Sequence, residues 1–332
     1  MDKLIDDLKH PSSLPDSTTA VNVVQTHISA VFVADAYVYK IKKPVNFGFL
    51  DFSTLEKRAF YCEKELELNR RLSNGIYLEV LPVRLEDDRY TLNGESGEVV
   101  EYALKMKRIP ETRLMKSVFA REELTPDHLK RTARVLASFH LNATRSESID
   151  EFGRPERFRY NTDENFEQVA PYVGRTIPRV QFDTIKAWTS EFYETHNDLF
   201  MDRITQGRIR DCHGDLHMEH ICLTEELAVI DCIEFNDRFR YGDTVADIAF
   251  LLMDLEYHGG YALSERLWEM YKIDAREEQV ESLLTFYKVY RAFVRGKVHS
   301  FQVDDPSIEN AQKEKVSDTA SRYFDLANSY IT

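Results

Sequence analysis

The chain has 332 residues, of which 43% are hydrophobic, enough for two packed lobes or two modest domains. Its formal net charge of −14 argues against a general nucleic-acid binder, because contacts with phosphates need a basic surface. This charge suits a cationic substrate, or it reflects the acidity common among soluble enzymes. No apolar run approaches the ~20 residues that span a bilayer. The N-terminus is too acidic for a signal peptide, so a cytoplasmic chain without a membrane partner is expected.

The N-terminal third of the chain predicts an antiparallel sheet. β-branched and aromatic residues are dense from Val21 to Val45, which indicates three strands with a turn at Ala34-Asp35. Further strands are expected at residues 78–83, 90–92 and 99–106.

The third of these strands carries two lysines on one face. Val38, Lys40 and Lys42 lie at alternate positions, and alternate side chains of a strand point to the same side. On the inner face of a sheet, a lysine needs a phosphate or a carboxylate partner, because burying an isolated ammonium group is costly. On an exposed edge strand the same residues form only a basic surface. The pattern by itself leaves both interpretations open.

A helix is predicted after this strand. Ser53-Thr54-Leu55-Glu56 has the sequence of a capping box, and the helix is expected to run to about Leu72. At about 100° per residue, Glu65 falls on the flank of Arg58, opposite the other glutamates of the helix. Glu65 is therefore set apart from the solvated acidic face.

The sequence beyond Arg108 predicts mainly helices. One helix is expected to start at Thr125-Pro126 and a second to cover about 182–199. A third should follow an Asp243 N-cap, and a fourth should cover about 281–301. Residues 145–165 are polar and are expected to be irregular.

The last predicted helix has an unusual basic face. Tyr287, Arg291, Arg295 and His299 recur at every fourth position and therefore share one side. This side is either a solvated basic surface or a wall of the substrate site. In the second case, the guanidinium groups would recognise a carboxylate or a phosphate.

The most informative stretch runs from residue 209 to residue 236. Two apolar runs, 221–223 and 227–230, flank a polar turn and predict a β-hairpin. Asp215 and His220 lie near its first strand, and Asp231 follows its second. Because the strands of a hairpin are antiparallel, these three side chains are expected to converge. One carboxylate could then orient an attacking hydroxyl, and the other could hold magnesium beside the phosphates of a substrate.

The same stretch contains the motif His213-Gly214-Asp215-Leu216-His217, followed by Val229-Ile230-Asp231. Together these motifs resemble the catalytic core of the aminoglycoside phosphotransferase-like (kinase-like) family. The continuation, 232–243, resembles an uncharacterised bacterial branch whose members occur alone or fused to a P-loop kinase domain. The sequence itself contains no P-loop motif.

The resemblance implies an α+β, bilobal protein-kinase-like fold. Residues 1–107 would form the nucleotide-binding lobe, an N-terminal antiparallel sheet with one helix. Residues 108–332 would form a larger, mainly helical C-terminal lobe that carries the catalytic and substrate residues.

The resemblance also implies a small-molecule kinase, which moves the γ-phosphate of ATP to a hydroxyl of an unidentified acceptor. Asp215 would be the catalytic carboxylate, and Lys40, held by Glu65, would bind the phosphates. Asp231 and His220 would hold Mg²⁺ or Mn²⁺. The other expected nucleotide-binding residues are Lys42, Ser29, Met106 and Arg108, and the expected acceptor-binding residues are His217, Glu234, Arg291 and Arg295.

Two positions depart from the family pattern. His220 stands where the family usually has an asparagine that ligates a second metal, and magnesium prefers oxygen to imidazole. No glycine-rich loop is present, and Thr26-His27-Ile28-Ser29 stands in its place. An active kinase is the first hypothesis. The alternatives are a nucleotide-binding pseudokinase or regulatory protein, and an enzyme that transfers AMP. The sequence indicates no oligomeric state.

Overall fold

The computed structural model describes residues 1–306 and 308–332 and divides them into two compact units. The first unit comprises residues 1–123 and 219–237, and the second comprises 124–218 and 238–332. The boundary predicted after residue 107 coincides with the end of the last strand of the sheet, but the compact first unit also includes 108–123 and the hairpin segment. Across the described residues, no helix is long and apolar enough to cross a membrane.

The bounds of the regular elements are as follows. The strands are β1 Asn22–Gln25, β2 Ser29–Val33, β3 Tyr37–Lys42, β4 Tyr77–Glu86, β5 Arg89–Thr91, β6 Glu98–Lys107, β7 Ile209–Asp211, β8 Ile221–Cys222, β9 Ala228–Val229 and β10 Tyr241–Asp243. The α-helices are α1 Asp2–Leu8, α2 Leu55–Arg70, α3 Met115–Ala120, α4 Pro126–Asn142, α5 Glu147–Asp150, α6 Pro155–Val169, α7 Arg179–Thr195, α8 Asn197–Thr205, α9 Asp237–Arg240, α10 Thr244–Tyr257, α11 Tyr261–Ala275, α12 Glu281–Val303 and α13 Asn310–Ser329. Short 3₁₀ turns cover Pro11–Ser13, Glu111–Arg113, Glu151–Gly153, Ala170–Tyr172 and Met218–His220.

The first unit is built on a six-stranded sheet in the order β1-β2-β3-β6-β4-β5, with antiparallel neighbours. The strand core is apolar, as the β-branched and aromatic composition predicts, and Phe32, Tyr39 and Ile41 are completely buried. The central strand β3 lies between β2 and β6, so Lys40 and Lys42 are not on an edge strand. The edge interpretation of these lysines is therefore wrong.

Helix α2 begins one residue later than the capping box predicts. The N-cap is Thr54, whose side chain accepts a hydrogen bond from the Lys57 N–H. The hydroxyl of Ser53 is already bound to the Asp51 carboxylate at 2.6 Å, which explains the shift. The helix ends at Arg70, and Glu65 is buried on its inner flank, as its helical position predicts.

The second unit is mainly helical and contains one almost entirely buried helix. Every residue of α10 from Thr244 to Glu256 is buried, and Asp243 caps the helix by accepting the Val245 N–H at 2.9 Å. A helix that is apolar on all sides belongs inside a core. The prediction that residues 145–165 are irregular is wrong, because helix α6 begins at Pro155. Proline is favourable at the first position of a helix.

Replacing Gly296 by alanine is expected to destabilise the second unit. A Cβ atom there would lie 2.6 Å from the Phe324 ring, which is completely buried where α12 packs on α13. Overpacking of this kind costs about 1–3 kcal/mol, and it opposes a gain in helix propensity of about 1 kcal/mol. Urea unfolding should show a lower midpoint. Gly242→Ala, where a Cβ meets no atom within 4 Å, is the control and should leave the midpoint unchanged.

Candidate active site

The hairpin of the first unit brings His220 and Asp231 together. Strand β8 pairs antiparallel with β9, with Ile221 opposite Val229, and the Ile230 N–H donates to the His220 carbonyl at 2.9 Å. Nε2 of His220 lies 3.6 Å from Oδ2 of Asp231. Two of the three side chains expected to converge therefore do so. Asp215 belongs to the second unit, and its convergence with them stays a prediction.

Both lysines of β3 point to one carboxylate of α2. Nζ of Lys40 lies 2.8 Å from Oε1 of Glu65 and 2.8 Å from Oδ1 of Asp231. Nζ of Lys42 lies 2.6 Å from Oε2 of Glu65 and also contacts the carboxylate of Glu234. These five residues, Lys40, Lys42, Glu65, Asp231 and Glu234, form the charged cluster of the first unit. The cluster contains the predicted Lys40–Glu65 pair and both candidate lysines.

The charged cluster is buried at Lys42, Glu65 and Glu234, partly exposed at Lys40 and most exposed at Asp231. The side chain of Glu65 is 1% exposed and that of Lys42 is 2% exposed, whereas that of Asp231 is 47% exposed. Two lysines and three acidic side chains make up the cluster, and only Asp231 of the acidic side chains is substantially exposed. The accessible end of the cluster is therefore a carboxylate, the group that a hard divalent cation prefers.

The neighbours of each charged group set its protonation. Burial disfavours the ammonium form of Lys40, but Asp231 and Glu65 outweigh it and raise the pKa of Lys40 well above its usual value. Burial also acts against the carboxylate of Glu65, yet Lys40 and Lys42 lower its pKa. Burial raises the pKa of Glu234 despite Lys42. Lys40, Lys42 and Glu65 are thus held as ions at neutral pH.

Two side chains position the backbone around Asp231. The Asp231 N–H donates to the Tyr77 hydroxyl at 3.0 Å, and the Cys232 N–H donates to Oδ1 of Asn69 at 2.9 Å. Asp231 has a φ of 61°, a left-handed conformation that is uncommon for a residue other than glycine. Strand β4 and helix α2 thereby hold the carboxylate of Asp231 toward Lys40.

The other predicted nucleotide-binding residues have diverse surroundings. Ser29 is buried, and its Oγ has no hydrogen-bond partner among the described residues. Met106 pairs with Val38 through the sheet. The guanidinium of Arg108 donates to the Ala34 carbonyl at 3.2 Å. Arg108 thus supports the turn between β2 and β3, and nucleotide contacts by these residues stay predictions.

In the second unit, α10 holds the loop that carries Asp215. Oδ2 of Asp247 accepts the His213 N–H at 2.9 Å, and Oδ1 accepts the Gly214 N–H at 2.9 Å. Two helical turns later, Oδ2 of Asp254 accepts the Met218 N–H at 3.0 Å. Asp247 therefore has a structural role, and both ends of the loop are attached to one helix.

Asp247 is a buried, ionised anchor. Besides the two backbone N–H groups, it contacts Nε2 of His140 at 3.1 Å, and Nδ1 of His140 lies 2.7 Å from the Tyr271 hydroxyl. Burial opposes the carboxylate form, but His140, His213 and Arg291 hold the pKa of Asp247 well below its usual range. The loop is thus positioned by a charge that persists at all physiological pH values.

Asp215 is the accessible carboxylate of this loop, with a side chain 34% exposed. Its N–H donates to Nδ1 of His213 at 3.3 Å, and Nε2 of His217 lies 3.5 Å from its Oδ2. Burial lowers the pKa of His217, but the charge of Asp215 outweighs this effect and raises it. The predicted acceptor residue His217 is therefore buried next to the predicted catalytic carboxylate.

Two predicted acceptor residues have structural partners instead. Glu234 is buried and is a counterion of Lys42, which indicates a positioning role. Arg291 is also buried, and its guanidinium donates to the carbonyls of Gly214 at 3.0 Å and Ala246 at 3.1 Å. A solvated basic surface is therefore wrong for Arg291, because this side chain supports the Asp215 loop.

Sequence reasoning missed four residues that support the two sites: Tyr77, Asn69, His140 and Asp254. Asp254 lies seven residues after Asp247 on the same helix, so helical periodicity could have indicated it. The other three act through tertiary contacts between residues 107 to 163 positions apart in the sequence, the largest separation being that of Asn69 and Cys232. No local pattern marks such contacts.

Sequence comparison identifies related proteins. Residues 51–282 match the family model described as the phosphotransferase enzyme family. Uncharacterized proteins of Mycobacterium bovis and Mycobacterium tuberculosis are 33% identical over 279 residues, which is 84% of this chain. The chain spans about half, 54%, of the length of these curated relatives.

Solved structures share the fold. A Ralstonia eutropha protein described as an aminoglycoside phosphotransferase has a TM-score of 0.56 and 12% identity, with 98% of this chain and 97% of that chain covered. A choline/ethanolamine kinase family protein from Mesorhizobium loti has a TM-score of 0.51 and 14% identity, with 94% and 93% covered. Amicoumacin kinase in complex with AMP-PNP, Ca²⁺ and Ami has a TM-score of 0.53 and 12% identity, with 96% and 89% covered. These similarities confirm the predicted α+β, bilobal kinase-like fold.

Proposed function

The chain belongs to the phosphotransferase enzyme family, and we propose that it transfers the γ-phosphate of ATP to a hydroxyl group of a small molecule. The observation that carries this proposal is the charged cluster, in which Lys40 joins Glu65 and the accessible Asp231. A lysine held by a helix glutamate beside a metal-binding aspartate is the arrangement that phosphoryl transfer uses.

The proposed reaction is an in-line displacement at the γ-phosphorus. The acceptor oxygen forms a bond to this phosphorus, the bond to the β–γ bridging oxygen breaks, and ADP leaves. Asp215 accepts the proton of the acceptor hydroxyl. Lys40 binds phosphate oxygens of ATP, and Glu65 orients its ammonium group. Lys42 and Glu234 keep Glu65 in place when Lys40 turns toward the phosphates.

The donors of the charged cluster fit a divalent cation. Asp231 offers a carboxylate that is 47% exposed, and His220 adds an imidazole 3.6 Å away. When bound, a magnesium ion held by Asp231 and His220 would supply positive charge that offsets the negative charge of the phosphates. The imidazole makes manganese a suitable alternative, because it accepts nitrogen ligands more readily. AMP-PNP in the structure of amicoumacin kinase supports nucleotide use by this fold.

Replacing Lys40 by methionine is expected to weaken ATP binding about 10- to 100-fold. A hydrogen bond to a charged group contributes about 1.5–3 kcal/mol, and each 1.4 kcal/mol is a factor of ten in affinity. Calorimetric titration of ATP with magnesium, with manganese and without metal measures this loss. Lys57→Met removes an exposed lysine that also pairs with a carboxylate, that of Asp51, and should leave the affinity unchanged.

The metal dependence of the same titration separates two functions. Tighter ATP binding with either metal supports the kinase. Equal binding with and without metal would indicate a nucleotide sensor, since His220 would then have replaced a metal ligand without binding the metal. Equal affinity of the Lys40→Met variant and the wild type would contradict the proposed role of Lys40.

A further inference from the structure

Arg295 lies on α12 within electrostatic range of Asp215 and His217. It is one helical turn beyond Arg291, whose guanidinium binds the Gly214 carbonyl at 3.0 Å, and one turn advances about 5.4 Å. Burial disfavours the charged form of Arg295, but Tyr323 and the carboxylates of Asp215 and Asp254 raise its pKa. Arg295 is thus a permanent cation within the electrostatic reach of Asp215.

Arg291 and Arg295 differ in what they bind. Arg291 uses Nε and Nη1 for two backbone carbonyls. Nε of Arg295 is buried and has no hydrogen-bond partner in the part of the chain that the structure describes. The guanidinium group is also hydrogen-bonded to Tyr323. Buried donors in folded proteins are nearly always paired by protein, water or a ligand, so Nε retains capacity for an acceptor from outside the chain.

A stack of aromatic rings orients Arg295. Its guanidinium carbon lies 5.6 Å from the centre of the Tyr323 ring, which stacks on Tyr257 with 3.7 Å between centroids. The guanidinium carbon of Arg322 lies 4.8 Å from the centre of the Tyr257 ring, but the side chain of Arg322 is exposed. Stacking on a fixed ring restricts a guanidinium group and preserves its planar fork of donors.

We propose that Arg295 binds an anionic group of the acceptor, a carboxylate or a phosphate, next to the hydroxyl that reacts at Asp215. The acceptor class is therefore hydroxy acids and phosphorylated alcohols. A planar guanidinium group binds either anion through two parallel hydrogen bonds. The cationic substrate that the net charge of −14 allows is disfavoured here, because a cation would meet Arg295. This inference rests on the proposed phosphotransferase function.

The test uses four small hydroxyl compounds of similar size: glycerate, glycerol 3-phosphate, glycerol and ethanolamine. Binding of each to the full chain is measured by calorimetry with magnesium and a non-hydrolysable ATP analogue present. The two anions are expected to bind at least 10-fold more tightly than glycerol and ethanolamine. The Arg295→Met variant should lose this preference, whereas Arg322→Met, which removes the matched arginine of the stack, should retain it. Arg295→Lys should keep part of the preference, because lysine keeps the positive charge but lacks the planar set of guanidinium donors.

The outcomes distinguish the anionic groups and the two levels of the proposal. Preference for glycerate assigns a carboxylate, and preference for glycerol 3-phosphate assigns a phosphate. Equal affinities for the four compounds, no binding of either anion, or an anion preference unchanged in Arg295→Met overturns the inference. If one of these three contrary results is obtained while the ATP analogue binds, only the inference about Arg295 fails. If the analogue itself does not bind with either metal, the proposed function fails as well.

Discussion

Replacing Asp215 by alanine is expected to lower turnover by about 10²- to 10⁴-fold, the usual contribution of a positioned general base. The loop that carries Asp215 is held by Asp247 and Asp254 through backbone N–H groups, so removal of this side chain should not displace it. Steady-state kinetics with an accepted hydroxyl compound measures the loss. The dissociation constant of ATP should change less than threefold.

Two controls make this prediction specific. Asp163→Ala removes an exposed carboxylate of the same unit, on α6, and should leave turnover unchanged. Thermal unfolding of the Asp215→Ala variant should match that of the wild type. Unimpaired turnover in a folded Asp215→Ala variant would remove Asp215 from the reaction.

Replacing Asp247 by alanine is expected to destabilise the chain by about 3–5 kcal/mol and to abolish turnover. The change removes the acceptor of the His213 and Gly214 N–H groups and the partner of His140, all of them buried. Each buried polar group left unpaired costs about 1–3 kcal/mol. Urea unfolding at pH 7 measures the stability, and Asp274→Ala, at an exposed position of α11, is the control.

The pH dependence identifies the source of this effect. The folded pKa of Asp247 is well below its unfolded value of about 3.9, so its contribution to stability is fully present above that value. The contribution is lost as the pH falls toward the folded pKa. The difference between wild type and Asp247→Ala should therefore be constant from pH 5 to pH 8 and should shrink below about pH 4. A difference that grows on acidification would contradict an ionised anchor.

Local sequence patterns predicted much of the first unit. The period of two in β3 placed Lys40 and Lys42 on one face, and helical geometry separated Glu65 from the solvated glutamates. Their contacts in the structure follow from those two periods. The hairpin was predicted from two apolar runs and a polar turn, although β8 and β9 are only two residues long.

Features that depend on partners distant in sequence were not predictable. The left-handed Asp231 is held by Tyr77, and the next residue is held by Asn69, neither of which lies in a recognisable motif. The burial of Arg291 was missed because its helix looks basic, whereas its guanidinium group satisfies two carbonyls inside the core. Helical spacing shows that Arg291 and Arg295 share a face, but not that only Arg291 has bound the loop.

The most direct test of the account is the fate of the γ-phosphate. ATP, magnesium or manganese, and a mixture of hydroxy acids and phosphorylated alcohols are incubated with the full chain, and the products are followed by ³¹P NMR. Equal amounts of ADP and a new phosphomonoester are expected, and Asp215→Ala should form both at least ~100-fold more slowly. Formation of AMP and pyrophosphate, or ATP left intact with both metals, would contradict it.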